Sequence, residues 1–159
     1  MKHQHVKIAV RDVSPAGVEE VPARWLGGGE WQLLWSPLYA TGVASGDVIK
    51  SLDDETGGFE IVARGGNVCI QFYLSASDAD DTEATAEAGE SVVTKLGALG
   101  GTLDGSTPGL LAFTVPIDAG FPAIDQLFED AVERWPGSQW QYTNVYDPIS
   151  GQPLGWWER

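Results

Sequence analysis

Apolar and polar residues alternate in short stretches through the first 66 residues of the chain. In His5–Asp12, for example, Val6, Ile8 and Val10 fall on one face, and lysine, alanine and arginine fall on the other. A period of two is that of a strand with one buried face. Further strands are predicted at Val21–Leu26, Glu30–Trp35, Val48–Leu52 and Phe59–Ala63. Turn sequences, beginning with Ser14–Gly17, separate these stretches, so we expect antiparallel hairpins.

After residue 66 the strand pattern is joined by helical spacing. Asn67–Leu74 is the strongest strand pattern, because alternate residues on one face are all large and apolar. Thr82–Leu99 carries apolar side chains at helical spacing and is followed by two glycines, which end a helix. Asp118–Pro122 opens a second helix, which Pro136 stops. The remaining strands are predicted at Thr102–Asp104, Leu110–Val115 and Gln139–Tyr146.

The order of these elements predicts an α+β protein with two β-rich parts. Residues 1–66 are expected to form an antiparallel β meander or small barrel. Residues 67–146 give the order β-α-β-β-α-β, which is typical of a ferredoxin-like sandwich with both helices on one sheet face. Residues 147–159 form a tail rich in proline, glycine and tryptophan. We expect the three parts to make one compact unit.

The joint between the third and fourth strands, Ser36–Lys50, carries a resemblance to a known family. A tryptophan hairpin precedes the joint and an Arg-Gly-Gly step follows the next hairpin, in the order Trp25-Leu26, Trp31-Gln32-Leu33, Pro37-Leu38-Tyr39-Ala40, Gly42-Val43, Gly46-Asp47-Val48-Ile49 and Arg64-Gly65-Gly66. This order resembles the bacterial domain-of-unknown-function 4265 family over roughly residues 21–146. The resemblance implies an architecture, and it implies no activity because the family has none established.

The chain is strongly acidic, with 23 Asp and Glu against nine Lys and Arg and a net charge of −14. Such a field repels nucleic acid and anionic membranes and speeds the encounter with a basic partner. Acidic side chains also serve solubility alone, and that interpretation stays open. We expect a cytoplasmic protein, because the chain shows no signal segment, no apolar run that could span a bilayer and a single cysteine.

Little in the sequence points to catalysis, a cofactor or a metal. The histidines, His3 and His5, both lie at the terminus, where no other ligand accompanies them. Cys69 lies in the middle of a strand, where a thiol is usually an inert core residue. The acidic stretch Asp78–Glu83 lacks the glycine and the final glutamate that a calcium loop needs. We therefore predict no catalytic, cofactor-binding or metal-binding residue and no enzymatic activity.

Three groups of residues are candidates for binding a protein partner. They are an acidic loop (Asp53, Asp54, Glu55), the acidic side chains of the second helix (Asp125, Glu129, Asp130, Glu133) and a tail pair (Trp156, Trp157). The acids would steer a basic partner, and tryptophan is enriched at the centres of binding surfaces. The tail pair has a second interpretation, in which it folds back to cap the tryptophan hairpin.

The leading hypothesis from the sequence is an acidic, non-enzymatic immunity protein that neutralises a cognate bacterial toxin by occluding its active site. Two alternatives are open. The first is a small-molecule-binding module or carboxylate-dependent enzyme, with a pocket between the two β-rich parts and with Tyr73 or Trp140 in it. The second is a structural or regulatory module.

Overall fold

The computed structural model describes residues 4–10 and 17–158. The first part of the chain folds into five antiparallel strands that pair in chain order, so it is a meander. The strands are β1 (Gln4–Val10), β2 (Gly17–Gly27), β3 (Glu30–Leu33), β4 (Val48–Asp53) and β5 (Gly58–Ala63). The sheet is open, and its two outer strands approach at one point, where Ala9 N–H donates to the Gly57 carbonyl at 3.0 Å.

The alternating residues that predicted the first strand are the ones that the sheet buries. Val6, Ile8 and Val10 lie in the core of the meander, where Val21 and Ile49 join them from neighbouring strands. The joint also enters this core through Ala40 and Val43. A period of two therefore places one face of each strand inside and leaves the charged side chains outside.

The second part contains a four-stranded antiparallel sheet and, within the described residues, two α-helices. The strands are β6 (Asn67–Tyr73), β7 (Thr102–Thr107), β8 (Leu110–Pro116) and β9 (Gln139–Tyr142), and the helices are α1 (Thr82–Leu96) and α2 (Phe121–Arg134). Their order across the sheet is β7-β8-β6-β9. The mixed α+β class predicted from the sequence is confirmed.

The core of the second part lies between this sheet and the helices. Phe128 of α2 is fully buried, and its ring contacts the rings of Phe72 and Phe113 with centroid distances of 6.5 and 5.5 Å. At the start of α1, the Asp81 side chain accepts a hydrogen bond from Ala84 N–H at 3.0 Å, which caps a free end of the helix. The apolar stripes of both helices thus define a single cluster with the strands.

The joint from Ser36 to Lys50 contacts the segment that connects the two sheets, residues 64–66, through buried polar groups. Asp47 is fully buried and pairs with the Arg64 guanidinium at 3.3 Å. Its two carboxylate oxygens also accept main-chain N–H bonds from Ala44 and Gly65 at 3.0 and 2.8 Å. Burial raises the pKa of Asp47, and the donors around it oppose that rise. A residue that looks like an ordinary turn aspartate in the sequence therefore fixes the loop between the sheets.

Several element ends differ from the sequence predictions: β2 begins at Gly17 instead of Val21, β3 ends at Leu33 instead of Trp35, and β7 runs on to Thr107 through residues predicted as a turn. Two further differences have a local cause. The last strand stops at Tyr142 instead of Tyr146, because the Asn144 side chain replaces a main-chain acceptor for Cys69 N–H at 3.0 Å. The helix predicted to reach Leu99 ends at Leu96 and continues as one 3-10 turn, which Gly100 closes with a positive φ of 76°. The predicted end of the first strand at Arg11–Asp12 and the break over residues 14–16 lie outside the described residues, as does His3.

Helices long and apolar enough to cross a bilayer are not found within residues 4–10 and 17–158.

Candidate functional site

The acidic loop predicted to bind a partner forms the turn between β4 and β5. Asp53, Asp54 and Glu55 are all exposed there. Asp53 has a structural role, because its Oδ1 accepts N–H bonds from Glu55 and Thr56 at 2.8 and 3.3 Å. The side chains of Asp54 and Glu55 extend from the same turn into solvent as exposed charges.

The four acidic residues predicted on the second helix separate into two pairs. Asp125 and Glu129, four residues apart on α2, line the same surface cleft. Asp130 and Glu133 are exposed and lie outside that cleft, and Asp130 accepts a bond from Gln126 Nε2 at 2.9 Å. The structure therefore provides a pair that lines the cleft and, on the same helix, a matched pair outside it for comparison.

The cleft lies between α2, strand β9 and the start of the tail, and its volume is about 590 Å³. Its walls come from separate parts of the sequence. The lining residues are Thr41, Asp125, Glu129, Trp140, Gln141, Tyr142, Thr143, Tyr146, Asp147 and Pro148. Thr41 belongs to the joint, so the cleft lies where the first part of the chain meets the second.

The charge of the cleft is negative, since three of its ten lining residues are acidic and none is basic. Arg64 lines a neighbouring groove, but its Nη1 already donates to the Gly42 carbonyl at 2.8 Å and to Asp47. Asp147 accepts N–H bonds from Ser150 and Ile149, which lower its pKa and keep it ionised.

Tyr142 couples the aromatic wall of the cleft to its charge. Its hydroxyl donates to Asp125 Oδ1 at 2.6 Å. Burial raises the pKa of Tyr142, and the hydrogen bond and negative charge of Asp125 raise it further. The phenol therefore stays protonated and holds the Asp125 carboxylate in place as an acceptor.

The rings of the cleft are supported from behind by the core. Trp140 and Tyr142 meet edge to face at 5.1 Å between centroids. Phe128 packs on Trp140 at 5.3 Å and Phe121 on Tyr142 at 5.5 Å. Such contacts fix the rings, so the aromatic wall is preformed.

The tail tryptophans pack on the second sheet. Trp156 Nε1 donates to the Asn144 carbonyl at 2.8 Å, and the Arg64 guanidinium lies 5.6 Å from the Trp156 ring. Trp157 meets Phe121 at 5.1 Å. The interpretation that the pair caps the tryptophan hairpin is wrong, because both rings join the core of the second sheet, while Trp25 is 55% exposed. These contacts fix the tail, whose first residues, Asp147 and Pro148, form one wall of the cleft together with Tyr146 just before them.

The other chemical candidates lie outside the cleft. Cys69 is fully buried, and burial raises the pKa of its thiol to about 12. Tyr73 donates to Gln71 Oε1 at 2.7 Å and does not line the cleft, whereas Trp140 does. A cluster of three or more His, Cys, Asp or Glu suited to a metal is not present in the part of the chain that the structure describes.

Of the residues that line the cleft, Asp125, Glu129 and Trp140 were candidates from the sequence, whereas Thr41, Tyr146, Asp147 and Pro148 were not. These four residues lie in the joint and around the start of the tail, and only the folded chain brings those two segments to the same cleft. An Asp-Pro pair followed by Ser and Gly does signal a turn after the last strand. Nothing in the linear sequence signals that this turn faces the second helix.

Comparison with known proteins identifies the family and the fold. The crystal structure of a hypothetical protein from Neisseria gonorrhoeae is similar to this chain, with a TM-score of 0.67 over 90% of this chain and 95% of that one. At 12% sequence identity, this similarity concerns the fold alone. A search of curated proteins finds no match. The profile of a domain of unknown function, DUF4265, matches residues 19–136, well over half of the chain. The chain therefore belongs to the DUF4265 family, as the resemblance around its Gly-Asp joint predicted.

Proposed function

We propose that this protein is an acidic, cytoplasmic, non-enzymatic binding protein that engages a basic protein partner, and that it acts as an immunity protein by occluding the active site of a toxin. The single observation that carries the proposal is the cleft in which Asp125 and Glu129 lie beside an aromatic wall, with no basic residue in the lining. Net charge agrees with it, since −14 favours a partner of opposite sign.

The chemistry of the cleft suits a lysine or arginine side chain. A carboxylate pair attracts the cation, and a hydrogen bond from Tyr142 holds the Asp125 carboxylate in position. The face of an aromatic ring also attracts a cation, by about 0.5–1 kcal/mol at exposed sites and more when water is excluded. Because the rings are already packed against Phe121 and Phe128, little ordering is needed on binding.

A second candidate function is binding, or carboxylate-dependent conversion, of a small cationic molecule. The observation that favours it is the position of the cleft between the two parts of the chain, with Thr41 contributed by the first. Its volume of about 590 Å³ is within the usual range for ligand sites. A small cation would be bound by the purified protein without any other macromolecule, which distinguishes the two functions.

We also infer that the second part has the ferredoxin-like arrangement. The chain order β-α-β-β-α-β and the sheet order β7-β8-β6-β9 support it, as does antiparallel pairing at each described interface of the sheet. In that arrangement β9 is an outer strand, which leaves the cleft open along the edge of the sheet.

The proposal is tested by capture from the native organism with the tagged full-length protein. We expect a basic protein to be retained, with less retained as salt rises, because charge steers the association. The double variant Asp125→Asn/Glu129→Gln should retain much less of the basic partner than the wild-type protein does. The control Asp130→Asn/Glu133→Gln makes the same charge change on the same helix outside the cleft, and it should retain the partner.

A growth assay tests the immunity role itself. Coexpression with the captured partner, or with a toxin encoded by the adjacent gene, should restore growth of cells that the toxin alone arrests. Equal capture by the two double variants would refute the cleft as the binding site. A captured partner without toxicity would refute the immunity role and favour a regulatory module.

A further inference from the structure

Strand β9 has a free edge in the described structure. It pairs with β6 on one side, in antiparallel register from Ile70↔Tyr142 to Tyr73↔Gln139. On its other side no strand of the described residues pairs with it. An unpaired edge carries main-chain donors and acceptors that another extended chain can bind.

The register shows which main-chain groups point to that free edge. Thr143 N–H donates to the Cys69 carbonyl at 2.9 Å, so Thr143 faces β6. In an antiparallel ladder alternate residues face the same neighbour, so Gln141 and Gln139 also face β6. The N–H and C=O groups of Trp140 and Tyr142 therefore point away from β6, which is the one described strand that pairs with β9, and none of the described turn, loop and cap hydrogen bonds uses them.

The cleft described above runs along this edge. Four consecutive residues, 140–143, line it, which side chains on one face of a strand could not do, because successive side chains alternate between faces. Asp125 and Glu129 line the cleft from α2, Thr41 lines it from the joint, and Pro148 lines it from the start of the tail. Beyond the end of β9, Gly42 N–H donates to the Thr143 carbonyl at 2.9 Å, so the joint contacts the chain where the strand stops.

We infer that the basic partner docks an extended segment as an added strand on β9, with main-chain hydrogen bonds to Trp140 and Tyr142. This inference rests on the proposed function and specifies how the partner is recognised. The segment would carry lysine or arginine at every second position. Those side chains lie on the face of Trp140 and Tyr142, where Asp125 and Glu129 meet them, and the intervening side chains lie on the face of Gln141.

Charge decides between this occupant and a second copy of the protein. Two copies, each with a net charge of −14, would bring their own Asp125 and Glu129 carboxylates together at a shared β9 edge. Like charges at such a contact are destabilising. A basic segment turns the same charges into attraction, so an external strand is favoured over pairing between copies.

The test uses the full-length protein and the synthetic peptide acetyl-TKVKVKT-amide, which places its lysines on one face of a strand. Two further peptides keep its sequence and charge but carry N-methyl groups on alternate residues, one on the lysines and one on the intervening residues. Adding a strand requires the peptide N–H groups of one set and not of the other. We expect one N-methyl peptide to bind at least about tenfold more weakly than the other, because its N-methyl groups replace the N–H donors that the Trp140 and Tyr142 carbonyls would accept from.

Amide hydrogen exchange provides the second measurement and requires no variant to fold. Bound peptide should slow exchange at Trp140 and Tyr142, whereas Gln141, which already faces β6, should change little. Equal binding of both N-methyl peptides, or unchanged exchange at Trp140 and Tyr142, would overturn the added strand while leaving the acidic binding function in place. A dimer without peptide, with those two amides protected, would instead assign the edge to a second copy. Protection of those amides by a peptide that the Asp125→Asn/Glu129→Gln variant binds equally well would retain the strand and refute the proposed charge recognition.

Discussion

Replacing Asp47 should release the joint from the segment that connects the two sheets. Its carboxylate accepts bonds from Ala44 N–H, Gly65 N–H and the Arg64 guanidinium, and its exposed fraction is 0%. Asp47→Ala removes every one of these acceptors at once. A single substitution thus leaves two main-chain donors and one cation without the partner that the fold supplies.

The expected loss follows from which of these groups water can reach. Ala44 is fully buried, so its orphaned N–H costs about 1–3 kcal/mol. The Arg64 side chain is 19% exposed and Gly65 is exposed, so water can replace part of the hydrogen bonding that these two residues lose with the carboxylate. Removal of a buried charge offsets some of the total. We expect the free energy of unfolding to fall by about 2–4 kcal/mol, a large share of the stability of an ordinary domain.

Equilibrium unfolding in urea measures this loss. The control is Asp54→Ala, which removes an exposed carboxylate from the β4–β5 turn and should change the free energy of unfolding by less than about 0.5 kcal/mol. If Asp47→Ala lowers the free energy of unfolding by less than about 1 kcal/mol, the reasoning is refuted, because a buried N–H without an acceptor destabilises by at least that much.

The same residue predicts an unusual pH dependence. Burial raises the pKa of Asp47 above its ordinary value of 3.8. The folded protein therefore holds this proton more tightly than the unfolded chain, so the stabilising effect is complete below pH 3.8 and is lost as pH rises through the folded pKa. Wild type should lose stability relative to Asp47→Asn as pH rises through this window. The opposite trend would show that the N–H donors outweigh burial.

Two further predictions concern the backbone and the thiol. Gly57→Ala should destabilise by about 1–3 kcal/mol more than Gly28→Ala, since both have positive φ but a Cβ at Gly57 alone meets the backbone, at Ala9; equal losses in urea unfolding would refute a close β1–β5 contact. Cys69 should be inert to a thiol reagent at pH 8 and react fully in denaturant, because the buried thiol has a pKa of about 12; rapid labelling of the native protein would contradict its burial.

Much of the fold followed from the sequence because it depends on local pattern. A period of two placed Val6, Ile8 and Val10 in the core, and helical spacing placed Ile124, Leu127 and Phe128 there. Hydrophobic burial is nearly independent of partner identity, so the apolar face of an element is known before its neighbour is.

The ends of elements were less well determined, since tertiary contacts set them. Gln139–Tyr146 reads as one strand, yet the side chain of Asn144 takes over the hydrogen bond of Cys69 N–H and pairing stops at Tyr142. An asparagine can act in this way only when another strand is beside it.

The site shows the same division between sequence and structure. The sequence alone determined that Asp125 and Glu129 are acids on one helix face, and that the chain has a strong negative charge. It gave no means of separating them from Asp130 and Glu133. Tertiary structure decided this, because the fold brings β9, Thr41 and the start of the tail beside Asp125 and Glu129 and leaves Asp130 and Glu133 exposed outside the cleft. Charge and periodicity are properties of local sequence, whereas a cleft requires residues far apart in the chain to share one place.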